Sequence, residues 1–191
     1  MELFFNDLNN RIQLAIKKDI ARIFNEVGNE QIYTIALVTD SDCITLYLAL
    51  NTYEYMQKKD EQYIKMFQGR LPEERIKRIR DGLSSFTKWI PAEWGYSDGK
   101  NSELNKISKL LYEKEEMAPE EYAKSRALFF DAVTAAFKQL IEEKVFGENT
   151  EKITYYVSMS DGEGTTEIEN HSAELLNSES VYKQFLKRLE N

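Results

Sequence analysis

Three acidic side chains follow β-rich runs of the sequence and are of the type that binds metal ions. Asp40 and Asp42 come after the run at residues 31–38, and Asp161 comes after the run at residues 153–159. If the two strands are parallel neighbours, these carboxylates cluster at one sheet edge and could bind Mg²⁺ or Ca²⁺ through oxygen. The alternative is ordinary turn chemistry, because Asp favours turns for local reasons and the spacing does not match an EF-hand.

The segment W-I-P-A-E-W-G-Y at residues 89–96 contains two tryptophans, one on each side of Pro91 and Glu93. Tryptophan is the residue most enriched at binding hot spots, and a loop braced by proline presents it at little cost in entropy. The alternative is that both indoles pack into the core, as large aromatic side chains often do. The residues that we predict to bind a protein partner are Trp89, Glu93, Trp94 and Tyr96.

Residues suited to nucleophilic catalysis are few, because the chain has one histidine, His171, and one cysteine, Cys43. A single histidine excludes a zinc site built from several histidines. The sequence has no G-x-S-x-G motif, no Gly-rich phosphate loop and no pair of cysteines, so we predict neither catalysis nor a cofactor. We expect His171 to lie in an exposed loop and Cys43 to be a buried residue at a strand start.

The composition of the 191-residue chain narrows the class of protein. It is 42% hydrophobic and 30% charged, which suits one domain with a buried core. The net charge of −8 repels nucleic-acid phosphates and fits either solubility or a basic protein partner. The basic stretch at residues 70–80 fits the solvated face of a helix, so we predict no binding to nucleic acid.

The chain lacks the patterns of export and membrane insertion. A single cysteine permits no disulfide within the chain, which is typical of a reducing compartment. The first residues lack the basic start and unbroken apolar run of a signal peptide, and no run approaches the ~20 apolar residues of a membrane helix. We therefore predict a cytoplasmic protein without membrane contact, and its oligomeric state stays open.

Hydrophobic periodicity predicts the helices that position these residues. The longest covers residues 119–146, with apolar positions three and four apart and Gly147 as its left-handed C-cap. A first helix of the same kind covers residues 2–27. Shorter helices are predicted at residues 52–68, 72–82, 103–112 and 179–189, with a polar connector at residues 114–116.

Alternation of apolar and polar residues predicts the strands. The run at residues 35–38 is apolar in succession, so its strand is expected at the centre of the sheet. We predict a single α+β domain over residues 1–191, with a small, mostly antiparallel sheet, helices packed mainly on one face and the 119–146 helix central. The predicted strands are residues 31–38, 43–50 and 153–159, with a strand or extended segment at residues 84–90 and a weak edge strand at residues 165–169.

Several of these stretches together resemble a bacterial family, the domain of unknown function 4303. The most specific match is the W-x-P-A-E-W core at residues 89–94; looser ones are Asn-Thr-x-Glu at residues 51–54, Phe-Gly at residues 146–147 and Ser-x-Ser-Asp at residues 158–161. Ile90 departs from the small polar residue of the family's pattern. The resemblance covers nearly the whole chain and implies no established activity. Relatives of this general kind resemble immunity proteins encoded beside secreted bacterial toxins.

Our leading hypothesis is a non-catalytic, cytoplasmic protein-binding module, an immunity-type protein that neutralises a bacterial toxin. It follows from the missing catalytic constellation, the acidic surface and the tryptophan-containing segment. The alternative is an enzyme or small-ligand-binding domain that depends on a divalent cation and uses Asp40, Glu93 and Asp161.

Overall fold

A four-stranded sheet forms the centre of the computed structural model, which describes residues 2–113, 118–148 and 150–189. Its strands are β1 (Ile32–Thr39), β2 (Tyr47–Thr52), β3 (Tyr96–Ser97) and β4 (Thr154–Met159). They lie in the order β3-β2-β1-β4. β1 pairs antiparallel with β2 and parallel with β4, and β2 pairs antiparallel with β3. The mostly antiparallel sheet and the central place of β1 are confirmed.

Seven α-helices surround this sheet within the described residues, which confirms the α+β class. Thr52 and Ser102 begin two of them by accepting hydrogen bonds from the backbone N–H groups of Tyr55 and Asn105. No described helix is both long and apolar enough to cross a membrane. The helices are α1 (Glu2–Val27), α2 (Tyr53–Met66), α3 (Glu73–Arg80), α4 (Glu103–Tyr112), α5 (Pro119–Glu142), α6 (Thr165–Leu176) and α7 (Glu179–Leu186).

One face of the sheet carries the main core. Ile35 and Leu37 of β1 point to this face and pack with the apolar stripes of α1, α4 and α5. In α5 the buried residues Phe129, Val133 and Phe137 recur every four positions, which is the period of a helix with one buried face. The predicted long helix is therefore a central packing element of this layer.

The opposite face combines small residues with one large aromatic residue. Ala36 and Ala49 lie beside Tyr156, and all three are buried. Trp94, from the chain after α3, and Phe185, from α7, pack on this face. Because the alanines are small, they leave room for aromatic rings, and this second face is closed by side chains instead of by a long helix.

The outer edge of β4 is closed by side chains of α6 and of the residue that follows it. Ser172 Oγ accepts a hydrogen bond from the backbone N–H of Val157 at 2.9 Å. Asn177 Oδ1 accepts from the backbone N–H of Tyr155 at 2.8 Å, and Asn177 Nδ2 donates to the carbonyl oxygen of Tyr155 at 2.6 Å. An open strand edge recruits further strands, so these bonds protect the sheet from edge-to-edge association.

The long helix ends earlier than predicted, and its C-cap is not Gly147. α5 ends at Glu142, and Lys144 takes the left-handed conformation with a φ of 56°. The earlier end turns Phe146 back into the core, where its ring centroid lies 5.6 Å from that of Phe137. Burial of this aromatic ring favours the turn despite the cost of a left-handed lysine.

Other stretches also differ from the prediction. Residues 165–169 form the start of α6 and not an edge strand, and residues 84–90 form turns and bends and not a strand. The second strand begins at Tyr47, four residues later than predicted, so residues 40–46 make a longer connection. The polar connector predicted at residues 114–116 lies outside the described residues.

Candidate functional site

The tryptophan-containing chain, residues 84–96, lies across the second face of the sheet and is called the Trp segment below. Trp94 is 8% exposed, and its indole N–H donates to the carbonyl oxygen of Thr87 at 3.2 Å. Its ring meets Tyr156 edge-on, with centroids 5.9 Å apart. Trp94 is therefore a core residue, and any effect it has on partner binding must act through packing.

One buried side chain of β2 fixes both ends of the exposed part of the Trp segment. Asn51 Oδ1 accepts a hydrogen bond from the backbone N–H of Gly95 at 3.4 Å. Asn51 Nδ2 donates to the Tyr33 hydroxyl at 3.0 Å, and that hydroxyl donates to the carbonyl oxygen of Lys88 at 2.9 Å. Tyr33 is skipped in the register between β1 and β2, and such a bulge redirects a side chain.

Helix α2 holds the start of the Trp segment. Asp60 is buried, and its Oδ1 accepts a hydrogen bond from the backbone N–H of Phe86 at 3.0 Å. Burial raises the pKa of this carboxyl, and the hydrogen bonds it accepts oppose that rise. Ser85 Oγ accepts from the backbone N–H groups of Thr87 and Lys88, at 3.1 and 3.0 Å. Residues 85–88 are thus a hydrogen-bonded turn attached to a helix.

The end of the Trp segment is held by Glu30. The hydroxyls of Tyr96 and Thr52 both donate to Glu30 Oε2, at 2.8 and 2.5 Å. Burial and the hydrogen bond with Glu30 raise the pKa of Tyr96 to about 12. A Cβ at Gly95 would lie 2.6 Å from the Tyr55 ring, so only glycine fits there without a shift. Tyr96, predicted as a contact residue, therefore ties the segment down through its hydroxyl.

The solvent-facing part of the Trp segment is short. Ile90 is 49% exposed and precedes the helical turn Pro91–Glu93. Glu93 is half-buried and accepts a hydrogen bond from Lys59 Nζ at 3.4 Å. This hydrogen bond raises the pKa of Lys59. Glu93 thus pairs with a lysine of α2.

Trp89 connects this exposed part to the core. Its ring is half-buried, with centroids 5.1 Å from Phe185 and 6.1 Å from Tyr33, both edge-on. The Tyr33 ring also stacks at a tilt on Tyr53, 4.8 Å away, and Tyr53 is 38% exposed. Four residues were predicted to bind a partner. Two of them, Trp89 and Glu93, are half-buried and are not held in the fold by a hydrogen bond from a hydroxyl or an indole N–H.

Two buried tyrosine hydroxyls, those of Tyr33 and Tyr156, lie under the Trp segment. Burial raises the pKa of both Tyr33 and Tyr156, so their hydroxyls stay protonated at neutral pH. The hydroxyl of Tyr156 has no hydrogen-bond partner among the described residues. A protonated phenol is a hydrogen-bond donor, and the Tyr33 hydroxyl uses this role to hold the carbonyl oxygen of Lys88.

The acidic turns lie at one edge of the sheet, because β1 and β4 are parallel neighbours. Asp161 Oδ1 accepts a hydrogen bond from the backbone N–H of Ser41, and Asp40 Oδ1 from that of Ile44, both at 2.9 Å. Asp42 is exposed. In the described parts of the chain, no group of three or more His, Cys, Asp or Glu side chains is placed to hold a metal ion. The Asp40 contact is local turn chemistry, whereas the Asp161 contact joins the two turns, and the metal site remains a prediction.

The two residues considered for nucleophilic catalysis lie outside the Trp segment. His171 is exposed as expected, but it lies on α6 and not in a loop. Cys43 is buried as expected, but it lies in the connection between β1 and β2 with a φ of 57°. Its place at a strand start is therefore wrong, because β2 begins later.

Sequence reasoning missed the buried residues that hold the segment. Asn51 and Tyr33 act through their side chains, and Asp60 acts through a carboxylate that is 4% exposed. One signal was present: Asp60 stands four residues from Met56 and four from Ile64, within the apolar stripe of α2. A carboxylate in a buried stripe requires a hydrogen-bond partner, and the following turn supplies it.

Comparison with known proteins adds one result to this geometry. No curated protein and no solved structure is significantly similar to the chain. One family profile matches residues 12–178, which run from within α1 to the residue before α7. The matched region contains the Trp segment, the residues that hold it and the acidic turns. The chain therefore belongs to the family described as Domain of unknown function (DUF4303).

Proposed function

We propose that this chain is a non-catalytic protein-binding module and that its contact surface is the exposed part of the Trp segment. The observation that supports this most is the placement of Ile90, an apolar side chain that is 49% exposed. The backbone is fixed before it at Lys88 and after it at Gly95 by hydrogen bonds to buried side chains. A preorganised apolar contact loses little conformational entropy on binding, which favours affinity.

The surface around Ile90 has the composition of a small hot spot. Trp89 is half-buried beside it, and Tyr53 is joined to Trp89 through the Tyr33 ring. Glu93 and Lys59 supply a polar margin. Aromatic side chains surrounded by polar residues are typical of the central part of a protein interface.

The partner that we propose is a bacterial toxin, which the chain neutralises as an immunity-type protein in the cytoplasm. The support for this identity is the general resemblance of such families to immunity proteins, and it is an argument by family type. The net charge of −8 suits a partner with a basic surface, through long-range electrostatic attraction.

The proposal is tested by affinity purification from the source bacterium, with attention to the products of neighbouring genes. Ile90→Glu places a charge in the centre of the proposed contact and should abolish partner recovery. Leu14→Glu is the matched control, because Leu14 is a 60% exposed apolar residue on α1. Equal recovery by both variants, or no specific partner with the wild-type chain, would overturn the proposal.

A further inference from the structure

The Trp segment adjoins a basic region in an acidic protein. Residues 70–88 contain six basic and three acidic side chains, whereas the whole chain has a net charge of −8. Arg80 is paired, because its Nε lies 2.6 Å from Glu61 Oε1. Within the part of the chain that the structure describes, Arg75 and Lys88 have no ion pair. The segment that leads into the proposed contact surface is therefore net positive, whereas the whole protein is net negative.

Both of these cations lie over aromatic rings of the Trp segment. Lys88 Nζ is 5.3 Å from the centroid of the Trp89 ring, and Arg75 Cζ is 5.1 Å from that of Phe86. A cation over an aromatic face gains a modest attraction from the ring. This attraction positions each charge without neutralising it, so both cations remain available to an anion.

Of these two cations, Lys88 is the better placed to bind an anion. Its backbone N–H donates to Ser85 Oγ at 3.0 Å, and its carbonyl oxygen accepts from the Tyr33 hydroxyl at 2.9 Å. The side chain is half-buried, and burial alone lowers the pKa of its amine. A partly desolvated charge without a counter-ion costs free energy, and an incoming anion recovers part of that cost. Its position two residues before Ile90 puts this charge beside the proposed apolar contact.

We propose that Lys88 binds a carboxylate of an acidic partner segment whose neighbouring apolar side chain packs on Ile90. This inference rests on the proposed function. It differs from it in the charge of the contacting group, because the site itself suits an acidic group of the partner and not a basic one. A protein segment is favoured over nucleic acid, because an exposed isoleucine has no use in a phosphate contact and the acidic remaining surface repels a continuous run of phosphates more than a few carboxylates. Arg75 provides a second cation in the same basic region.

The probe is a hexapeptide of alternating Glu and Leu with both termini blocked. The control peptide has Gln in place of each Glu and is therefore uncharged. Binding is followed by the two tryptophan indole N–H resonances in a ¹H–¹⁵N spectrum. The Trp94 indole is bonded internally to Thr87 and serves as the reference. We expect the Trp89 resonance to shift saturably with the Glu peptide only. Lys88→Met keeps the aliphatic stem and should weaken binding at least ~tenfold.

Lys124→Gln is the matched control, because Lys124 is exposed on α5 and should bind as the wild type does. Lys88→Arg keeps the charge and should retain binding, which separates charge from folding effects. Equal binding of the two peptides, unchanged binding by Lys88→Met, or tighter binding of a single-stranded oligothymidine than of the Glu peptide would overturn the inference. If Ile90→Glu removes the natural partner while Lys88→Met keeps it, this inference fails and the proposed function stands.

Discussion

The side chains of Asn51 and Tyr33 form a buried hydrogen bond of 3.0 Å that links the two ends of the exposed part of the Trp segment. Each residue also bonds the backbone of the segment, at Gly95 and at Lys88. The three hydrogen bonds form one continuous chain from Gly95 to Lys88. Loss of either side chain therefore leaves a buried polar group unpaired as well as releasing the segment.

Tyr33→Phe removes the central hydroxyl of this chain and keeps the ring. We expect a loss of about 1–3 kcal/mol in the free energy of unfolding, because the Lys88 carbonyl and the Asn51 amide lose their partner. Urea unfolding followed by tryptophan fluorescence measures it. Tyr53→Phe is the control, because Tyr53 is 38% exposed and lies against the same ring. A similar loss in both variants would show that the buried hydroxyl has no special role.

Gly95→Ala tests the close packing of the segment on α2. The new Cβ would lie 2.6 Å from the Tyr55 ring, so we expect a destabilisation of about 1–3 kcal/mol from overpacking. Tyr55→Ala removes the obstructing ring, and the double variant should lose less stability than the sum of the two single changes. Thermal unfolding of the three variants gives the coupling. Additive effects would contradict the contact.

Quenching of tryptophan fluorescence by acrylamide distinguishes the two indoles. Trp94 is 8% exposed and hydrogen-bonded inside the fold, so the Trp89→Phe variant, which retains it, should be quenched weakly. Trp89 is half-buried, so the Trp94→Phe variant should be quenched more strongly if its fold is intact. Circular dichroism checks the fold of both. Strong quenching of Trp94 would place it at the surface and contradict its role in the core.

The elements that were predicted correctly have a strong hydrophobic period, and the missed helix does not. α1 was predicted with its observed bounds, because its buried residues recur every three or four positions. In α6 the buried side chains include Glu169, Ser172 and Ala173, which are polar or small. This helix closes the edge of β4 with hydrogen bonds, and that role leaves a weak apolar stripe. The sequence pattern therefore pointed to an edge strand where a helix covers the edge.

The Trp segment was singled out from the sequence as a candidate site, but its internal arrangement was not predicted. The spacing of Trp89 and Trp94 could not show which indole is buried, because either fits a core or a surface. That choice is made by contacts between residues distant in sequence, such as Asn51 with Gly95 and Asp60 with Phe86. Tertiary hydrogen bonds of this kind leave no period in a single sequence.

The divalent-cation hypothesis has a direct test in thermal stability. A ligand that binds the native state alone raises the melting temperature, and the stabilisation grows with the logarithm of one plus the ratio of ligand concentration to Kd. Asp40 accepts a backbone hydrogen bond within its own turn and Asp161 accepts one from Ser41 in the neighbouring turn, so we expect no rise with Mg²⁺, Mn²⁺ or Ca²⁺ at about 5 mM. A rise in melting temperature that disappears in Asp161→Asn would contradict this expectation and support the hypothesis of a metal site.

Asp98 is the carboxylate whose ionisation should matter most for stability among those described. It is 2% exposed, and its Oδ1 accepts a hydrogen bond from the backbone N–H of Leu48 at 3.1 Å. Burial raises its pKa to about 6, against the opposing effect of hydrogen bonds from Ser102 and Leu48. A carboxyl with a raised folded-state pKa contributes stability below its unfolded pKa and loses that contribution as the pH rises through the folded value.

Asp98→Asn keeps a hydrogen-bond acceptor for Leu48 and removes the buried charge. We expect the variant to gain about 1–2 kcal/mol relative to the wild type between about pH 5 and about pH 7.5, because only the wild-type carboxyl ionises over that range. Urea unfolding of both proteins at the two pH values measures the difference. A free-energy difference that is the same at both pH values would show that Asp98 ionises as easily in the folded protein as in the unfolded chain.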